Sequence, residues 1–415
     1  MKKILLLGGS AQQVVAIKKA KELGLYTVLI DYLSDNPGQF VADKYYSEST
    51  TDVEAVYKIA KAENVSGILP YASDPAALPC AIVCEKLGLP TNPAQSVRIL
   101  GIKNDFRKFL SENGFSCPKF ISFNLDDFYS NNNSTCEKKK ILDSVSEFQF
   151  PLVIKPTDSS GSKGVSKINS LEELKEGGLE KAVDYAKEYS RNKILICEEF
   201  IQRGFEYVIG GDVFVWNGKI VLYGEMSCLR ENGGKGLIPI GENKPSSLNS
   251  LQIEKVHSEL QRLVTALNIK FGELNIEILL DKNDGVHFLE LGPRAGGNMI
   301  PIQLSDAFDV DLVKANVLAA IGENPQIIPS SKKTAFMTYV LHSNKDGIFD
   351  GIEIAKEIEP FVYREVIYKK TGDSVFHFDG AGKACGIIFL RFENEKQMND
   401  FEKNIEKLIT VKLRN

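Results

Sequence analysis

Short, wholly apolar runs separated by amphipathic stretches set the pattern of the first hundred positions. Residues 4–7, 27–30 and 66–69 are apolar enough to be buried on both faces, as strands of a parallel sheet are. Between them Val14, Ile17 and Ala20 recur at three-residue spacing while Lys18, Lys19 and Lys21 point elsewhere, and a second helical pattern covers 53–62. The order is βαβαβ. The first strand–helix turn, 8–13, lacks the spaced glycines of a dinucleotide fingerprint although Asp31 stands where a ribose-binding acid would. Dinucleotide binding is therefore disfavoured, and the turn is left as a place where backbone N–H groups can meet a small anion. Ser73 or Asp74 reads equally as the N-cap of a helix running to Leu87 and as a ligand contact.

The period changes further along. Lys103 precedes an amphipathic helix over 105–113, and 124–140, with three successive asparagines and three successive lysines, reads as a mobile surface insertion. A strand over 151–156 ends on Lys155-Pro156 and runs into a loop of small residues containing Gly161, Ser162, Lys163 and Gly164. Such a loop lets backbone N–H groups close on a polyphosphate while the ammonium neutralises it, although GxxxxGK[ST] is absent and loops of this composition are often only flexible. A helix over 171–189 and a strand over 193–197 lead to Glu198, Glu199, Phe200 and Ile201, then Glu206. That strand end can offer a carboxylate and backbone groups to an adenine edge with Glu206 on ribose, or be a solvated terminus. Residues 216–219 carry an Asn-Gly hairpin turn.

A second hairpin, over 273–298, turns at Lys282-Asn283-Asp284-Gly285. Folding it symmetrically sets Glu277 opposite Glu290. Facing carboxylates about 5 Å apart repel, so either a hard cation such as Mg²⁺ lies between them or the register slips and one acid faces solvent. Between the hairpins, Arg230 and Lys235 flank glycines in a segment suited to covering a substrate carboxylate or phosphate, or to being a solvated loop. Beyond 330, strands over 334–341, 365–369 and 386–391 and a helix over 396–409 read as a small α+β unit. His342 and His377 stand too far apart to be read as ligands.

At 415 residues the chain exceeds a single core. Its formal charge of −5, with basic residues dispersed, gives no footprint for nucleic acid or a membrane surface. The opening apolar run ends at Gly8-Gly9, too short for a secretory leader, and no run reaches a membrane span. Seven cysteines without a CxxC pair fit thiols in a reducing, cytoplasmic compartment.

Lys103, Lys155 with its Gly/Ser loop, Glu198-Glu199-Phe200-Ile201, Glu206, and Glu277 with Glu290-Leu-Gly-Pro-Arg294 follow the order and approximate spacing of the ATP-grasp superfamily, which this sequence resembles over most of its length. The branch it looks like holds carbamoyl-phosphate synthetase, biotin carboxylase, and the purine-pathway and amino-acid ligases. The resemblance implies an α/β protein with an N-terminal wound parallel-sheet domain over 1–100, an ATP-grasp domain over 101–328 with a mobile lid at about 141–205, and a C-terminal α+β cap over 329–415. It assigns Lys103, Lys155 and the loop from Gly161 to Gly164 to ATP phosphates, Glu198 with the backbone of Glu199 and Ile201 beside Phe200 to adenine, and Glu206 to ribose. Glu277 and Glu290 would take Mg²⁺ or Mn²⁺, and Arg294, with Arg230 or Lys235, the reacting acyl and phosphoryl oxygens. One departure stands out: the family usually has Glu-x-Asn-x-Arg, and Gly292 occupies the Asn position. Asn275, opposite it in the symmetric hairpin, would supply an amide oxygen, or a water would replace the ligand.

The function so implied is ATP-dependent ligation of a small carboxylate to an amine through an acyl phosphate, in a cytoplasmic enzyme with small-molecule partners and a homodimer as the assembly to consider. Bicarbonate activation, as in a carboxylase or carbamoyl-phosphate synthetase, is the alternative reaction. An ATP-binding protein with little turnover is the alternative of another class.

Overall fold

The computed structural model describes residues 1–129, 134–159, 163–230, 238–330 and 334–414, without the side chains of 134–137 and 381. The chain falls into two compact units, each built from separated segments: Met1–Val97 with Tyr207–Glu277 and Leu291–Asn415, and Arg98–Glu206 with Ile278–Glu290.

In the first unit β1 (Lys3–Leu7), β2 (Tyr26–Ile30), β3 (Lys44–Tyr46) and β4 (Gly67–Leu69) form a parallel sheet in the order β3-β2-β1-β4. Residues 4–7 and 28–30 are at most 1% exposed, as strands covered on both faces require. One cover is the helix Leu312–Ala320, whose Val313, Val317 and Ala320 join Ile4, Leu6 and Leu29 in one core. The turn after β1 is filled from within. Gln13 donates to the Tyr71 carbonyl (2.8 Å) and accepts from Ser10 N–H (2.9 Å), while Asp31 accepts from Gly9 N–H (2.7 Å). The N–H groups of Gly9 and Ser10 are thus spent on the chain's own side chains, and Asp31 faces Gly9 rather than a ribose.

The second unit contains β5 (Phe120–Asn124), β6 (Leu152–Pro156), β7 (Ser166–Ile168) and β8 (Ile194–Glu199), ordered β5-β8-β6-β7 and antiparallel. The stretch read from sequence as a surface insertion instead carries helices Leu125–Tyr129 and Ser134–Val145, whose Leu125, Phe128, Ile141 and Val145 enter this sheet's core; its polar run masked an apolar stripe. The helix expected over 171–189 is interrupted at Gly177, where φ is +95°, and resumes at Leu179–Lys187.

The chain continues with β9 (Val208–Trp216), β10 (Lys219–Arg230), β11 (Pro239–Lys244), β12 (Phe271–Leu280), β13 (Val286–Gly292) and β14 (Ala335–Leu341), of which residues 278–280 and 286–290 belong to the second unit and the rest to the first. With β16 (Val362–Ile367) and β18 (Gly386–Phe392) they make an eight-stranded sheet, β13-β12-β9-β10-β11-β14-β18-β16. Asn217 and Gly218, at φ +52° and +77°, make the β9–β10 turn as their sequence predicts. A three-stranded sheet of β15 (Gly347–Ile354), β17 (Ser374–Val375) and β19 (Ile409–Arg414) was not evident from sequence. β19 begins where a helix was expected to continue; that helix breaks into Glu395–Glu402 and Ile405–Leu408. His342 is buried and its Nδ1 lies 2.8 Å from the Val340 carbonyl, a core role.

Candidate active site

Within the second unit, four sequence-flagged residues gather around one that was not flagged. Arg107, on the helix Lys103–Glu112, is fully buried, with Nε donating to Glu198 Oε2 (2.8 Å) and Nη2 to Oε1 (3.4 Å). Its remaining donors reach the carbonyls of Phe288 (3.2 Å) and Leu289 (3.1 Å). Lys155, at the end of β6, binds the same Glu198 carboxylate. Lys103 donates to the Ser159 carbonyl and lies 3.3 Å from Glu290. Burial alone would raise the Glu198 pKa, but Arg107 and Lys155 hold it down to about 2. Lys155 moves down from its usual value, first through burial and then because Arg107 and Lys103 crowd it, against the pull of Glu198. Three cations face two carboxylates here, so the cluster carries a positive remainder beside the loop that follows β6.

Arg107 escaped sequence reading because an arginine on the polar side of an amphipathic helix reads as solvated. The one available signal was its i+4 spacing from Lys103. Glu198, assigned to adenine by resemblance, spends its carboxylate on Arg107 and Lys155. The backbone N–H of Glu199 donates to the Lys119 carbonyl (3.0 Å) and its carboxylate accepts from Gln149 N–H (2.9 Å). Lys167 lies over the Phe200 ring at 4.3 Å, Ile201 is partly buried and Glu206 is exposed. Lys163 is exposed, and its carbonyl accepts from the Ser159 hydroxyl (3.0 Å). Gly164 has φ +73° and a Cβ there would lie 2.9 Å from the Pro156 ring, so the loop's return past β6 needs glycine. Gly161, Ser162 and Lys235 lie outside the described residues.

The first unit holds a second cluster of opposite composition. Arg294 forks onto Asp74, Nε to Oδ1 at 2.7 Å and Nη2 to Oδ2 at 2.6 Å. Asp74, read from sequence as an N-cap or ligand contact, is thus the partner of Arg294. Asp212, on β9 and fully buried, accepts from the Asn275 amide (2.9 Å) and from Gly296 N–H (2.7 Å); burial pushes its carboxyl up to about 6 despite those donors. Asn275 also donates to the Gly211 carbonyl (2.9 Å). A Cβ at Gly292 would lie 2.9 Å from the Arg294 guanidinium carbon and 2.9 Å from Asp74 Oδ1. Arg294 and Asp74 therefore occupy the space beside residue 292, and the Asn275 amide nitrogen is committed to Asp212. Arg230 lies 3.3 Å from Glu277, whose side chain is 38% exposed. Glu242, on β11, is buried and pushed up to about 8 by that burial.

Glu277, in the first unit, and Glu290, in the second, are each partly exposed, and each offers the hard oxygen donors Mg²⁺ prefers. Each is neutralised by a basic side chain, Arg230 or Lys103, that would have to turn away. Among the described residues no group of three or more His, Cys, Asp or Glu side chains is gathered as a metal cage. No helix among them is long and apolar enough to cross a membrane.

Residues 148–302 match the ATP-grasp domain family. The chain is 27% identical over 296 residues to a formate-dependent phosphoribosylglycinamide formyltransferase of Wolinella succinogenes, covering 70% of each. It is 25% identical over 343 residues to a phosphoribosylamine–glycine ligase of Methanococcus maripaludis, covering 74% of this chain and 71% of the other. The crystal structure of an L-amino acid ligase from Bacillus licheniformis superimposes with a TM-score of 0.80 at 18% identity over 100% of this chain and 99% of that one, a likeness of fold. The matched segment takes in the lysine-ended strand and the glycine-dependent loop: this chain carries an ATP-grasp domain over 148–302 and is similar along most of its length to the formyltransferase and the ligase named above.

Proposed function

We propose that the protein joins a small carboxylate, such as that of an amino acid, to an amine by way of an acyl phosphate, releasing ADP and phosphate. The observation that carries this reading is the positive remainder around Glu198: Lys103, Lys155 and Arg107 against Glu198 and Glu290, next to a loop that returns on Gly164. A cluster with surplus positive charge in a largely buried setting favours an anion such as a triphosphate over a neutral ligand.

In this reading Lys103 and Lys155 hold the phosphates, the loop from Gly161 to Gly164 closes over them, and Glu198 keeps Lys155 and Arg107 in place from beneath. The β8 end from Glu199 to Ile201 and Glu206 receive the nucleoside. Glu277 and Glu290 would hold Mg²⁺, which when bound neutralises charge on the transferring phosphoryl group; Asn275 stays a candidate ligand through its amide oxygen. Arg294, fixed by Asp74, orients the substrate carboxylate for in-line attack on the γ-phosphorus, and Arg230 with Lys235 stabilises the charge that develops.

ADP release by the full chain, screened over amino acids and small carboxylates with ATP and Mg²⁺, is expected to rise with an added substrate. In Glu290→Gln it should fall by roughly 100-fold. Release indifferent to every organic acceptor would overturn the reading, and release driven by bicarbonate would put the chain with the carboxylases instead.

A further inference from the structure

A cavity of about 70 Å³ lies within the first unit. Its walls are mostly apolar: Ile68 and Leu69 of β4, Ala77, Cys80 and Ala81 of the helix Asp74–Leu87, and Phe271. At about 10–15 Å³ per water-sized site, the space suits roughly five heavy atoms. Polar groups on the wall include Glu273, Asn316 and Arg294.

Glu273 is 3% exposed. One of its carboxylate oxygens accepts from the Asn316 amide, and Oε1 has no hydrogen-bond partner among the described residues. The nearby Tyr71 hydroxyl is also buried and without such a partner. Burial, and after it the neighbouring Asp212, push Glu273 well above the usual carboxylate range. The charged groups facing it are Asp212 from β9 and Arg294 after β13, and Arg294 is already forked onto Asp74. Acid outnumbers base. The cavity also stands in line with the proposed chemistry. Side chains at 273, 275 and 277 share one face of β12, while Leu274, Ile276 and Ile278 are at most 1% exposed on the other. That polar row begins at the partly exposed Glu277 and ends at the cavity.

We propose that this cavity is the subsite for an aliphatic primary ammonium group of the substrate, its methylene stem against Ala77, Ala81 and Phe271 and its charge on Glu273. This rests on the ligase reading, since it places the stem beside Arg294. An ammonium gives Oε1 the donor it lacks and brings positive charge to a wall where acid outnumbers base; an alcohol of the same length brings only the donor.

The test is calorimetric titration of the full chain, without ATP, with n-butylammonium, 1-butanol and butyrate. Butylammonium should bind roughly tenfold or more tighter than 1-butanol, and butyrate should not bind. Ala81→Leu, which fills the cavity, should abolish butylammonium binding at an unchanged thermal midpoint, and Glu273→Gln should erase the preference over butanol. Equal binding of butanol and butylammonium by the unmodified chain, or no binding of either, overturns the proposal whatever the variants do. Butylammonium binding without any acceptor-dependent ADP release would instead sink the ligase reading and leave the subsite standing. ADP release without ammonium selectivity would do the reverse.

Discussion

The ionic clusters around Glu198 and around Asp212 and Glu273 are built from similar parts and have opposite character. Around Glu198 three cations share two carboxylates, and the central acid is held down to about 2. Around Asp212 and Glu273 the one arginine is already forked onto Asp74, and burial pushes Asp212 up to about 6. In the first cluster the carboxylates are outnumbered by the cations they hold. In the second the acids are the majority, and Glu273 Oε1 is left without a partner among the described residues. Burial is common to both, so what separates them is the count of cations within reach.

The sharpest way to break the contrast is to remove the arginine from the first cluster. Arg107→Leu leaves Glu198 with Lys155 alone and strands the Phe288 and Leu289 carbonyls. Loss of one partner from a buried pair should cost about 3–5 kcal/mol, measured as the shift in urea unfolding; a loss below about 1 kcal/mol would mean that Glu198 takes up its proton without penalty.

Proton linkage should then show the two clusters working in opposite directions. Glu198 has a folded pKa below its ordinary value, so its stabilisation is complete above about pH 4.5 and is lost as pH falls toward 2. Asp212 is raised from 3.8 to about 6, so its contribution is present below pH 3.8 and is lost as pH rises through 6. Asp212→Asn should therefore gain roughly 1–3 kcal/mol over the parent between pH 4 and 7. A difference that stays flat across that window would show that Asp212 titrates normally.

The smallest expected effect concerns the donor that partly satisfies Asp212. Asn275→Ala removes two hydrogen bonds and should cost about 1–2 kcal/mol, growing as Asp212 ionises. Unfolding curves at two pH values on either side of 6 would check the growth.

Much of this was readable from the chain alone because it rests on local chemistry. The apolar runs of β1, β2 and β4, the Asn217-Gly218 turn and the strand ending on Lys155 each announce themselves within a few residues. The two buried clusters did not, since their partners lie far apart in sequence: Arg107 and Glu198 are separated by 91 positions and Asp74 and Arg294 by 220. Beyond the i+4 spacing of Arg107 from Lys103, nothing local distinguishes a solvated arginine from one that closes such a pair. The helices within 125–145 were hidden by a polar run, and β15 and β19 by weak alternation whose meaning depends on each other.

The Arg294–Asp74 fork also bears on what position 292 can accept. A Cβ there would lie 2.9 Å from the Arg294 guanidinium carbon and from Asp74 Oδ1, so any larger residue requires the ends of that fork to shift. Substitution at 292 is thereby coupled to the conformation of residues 74 and 294.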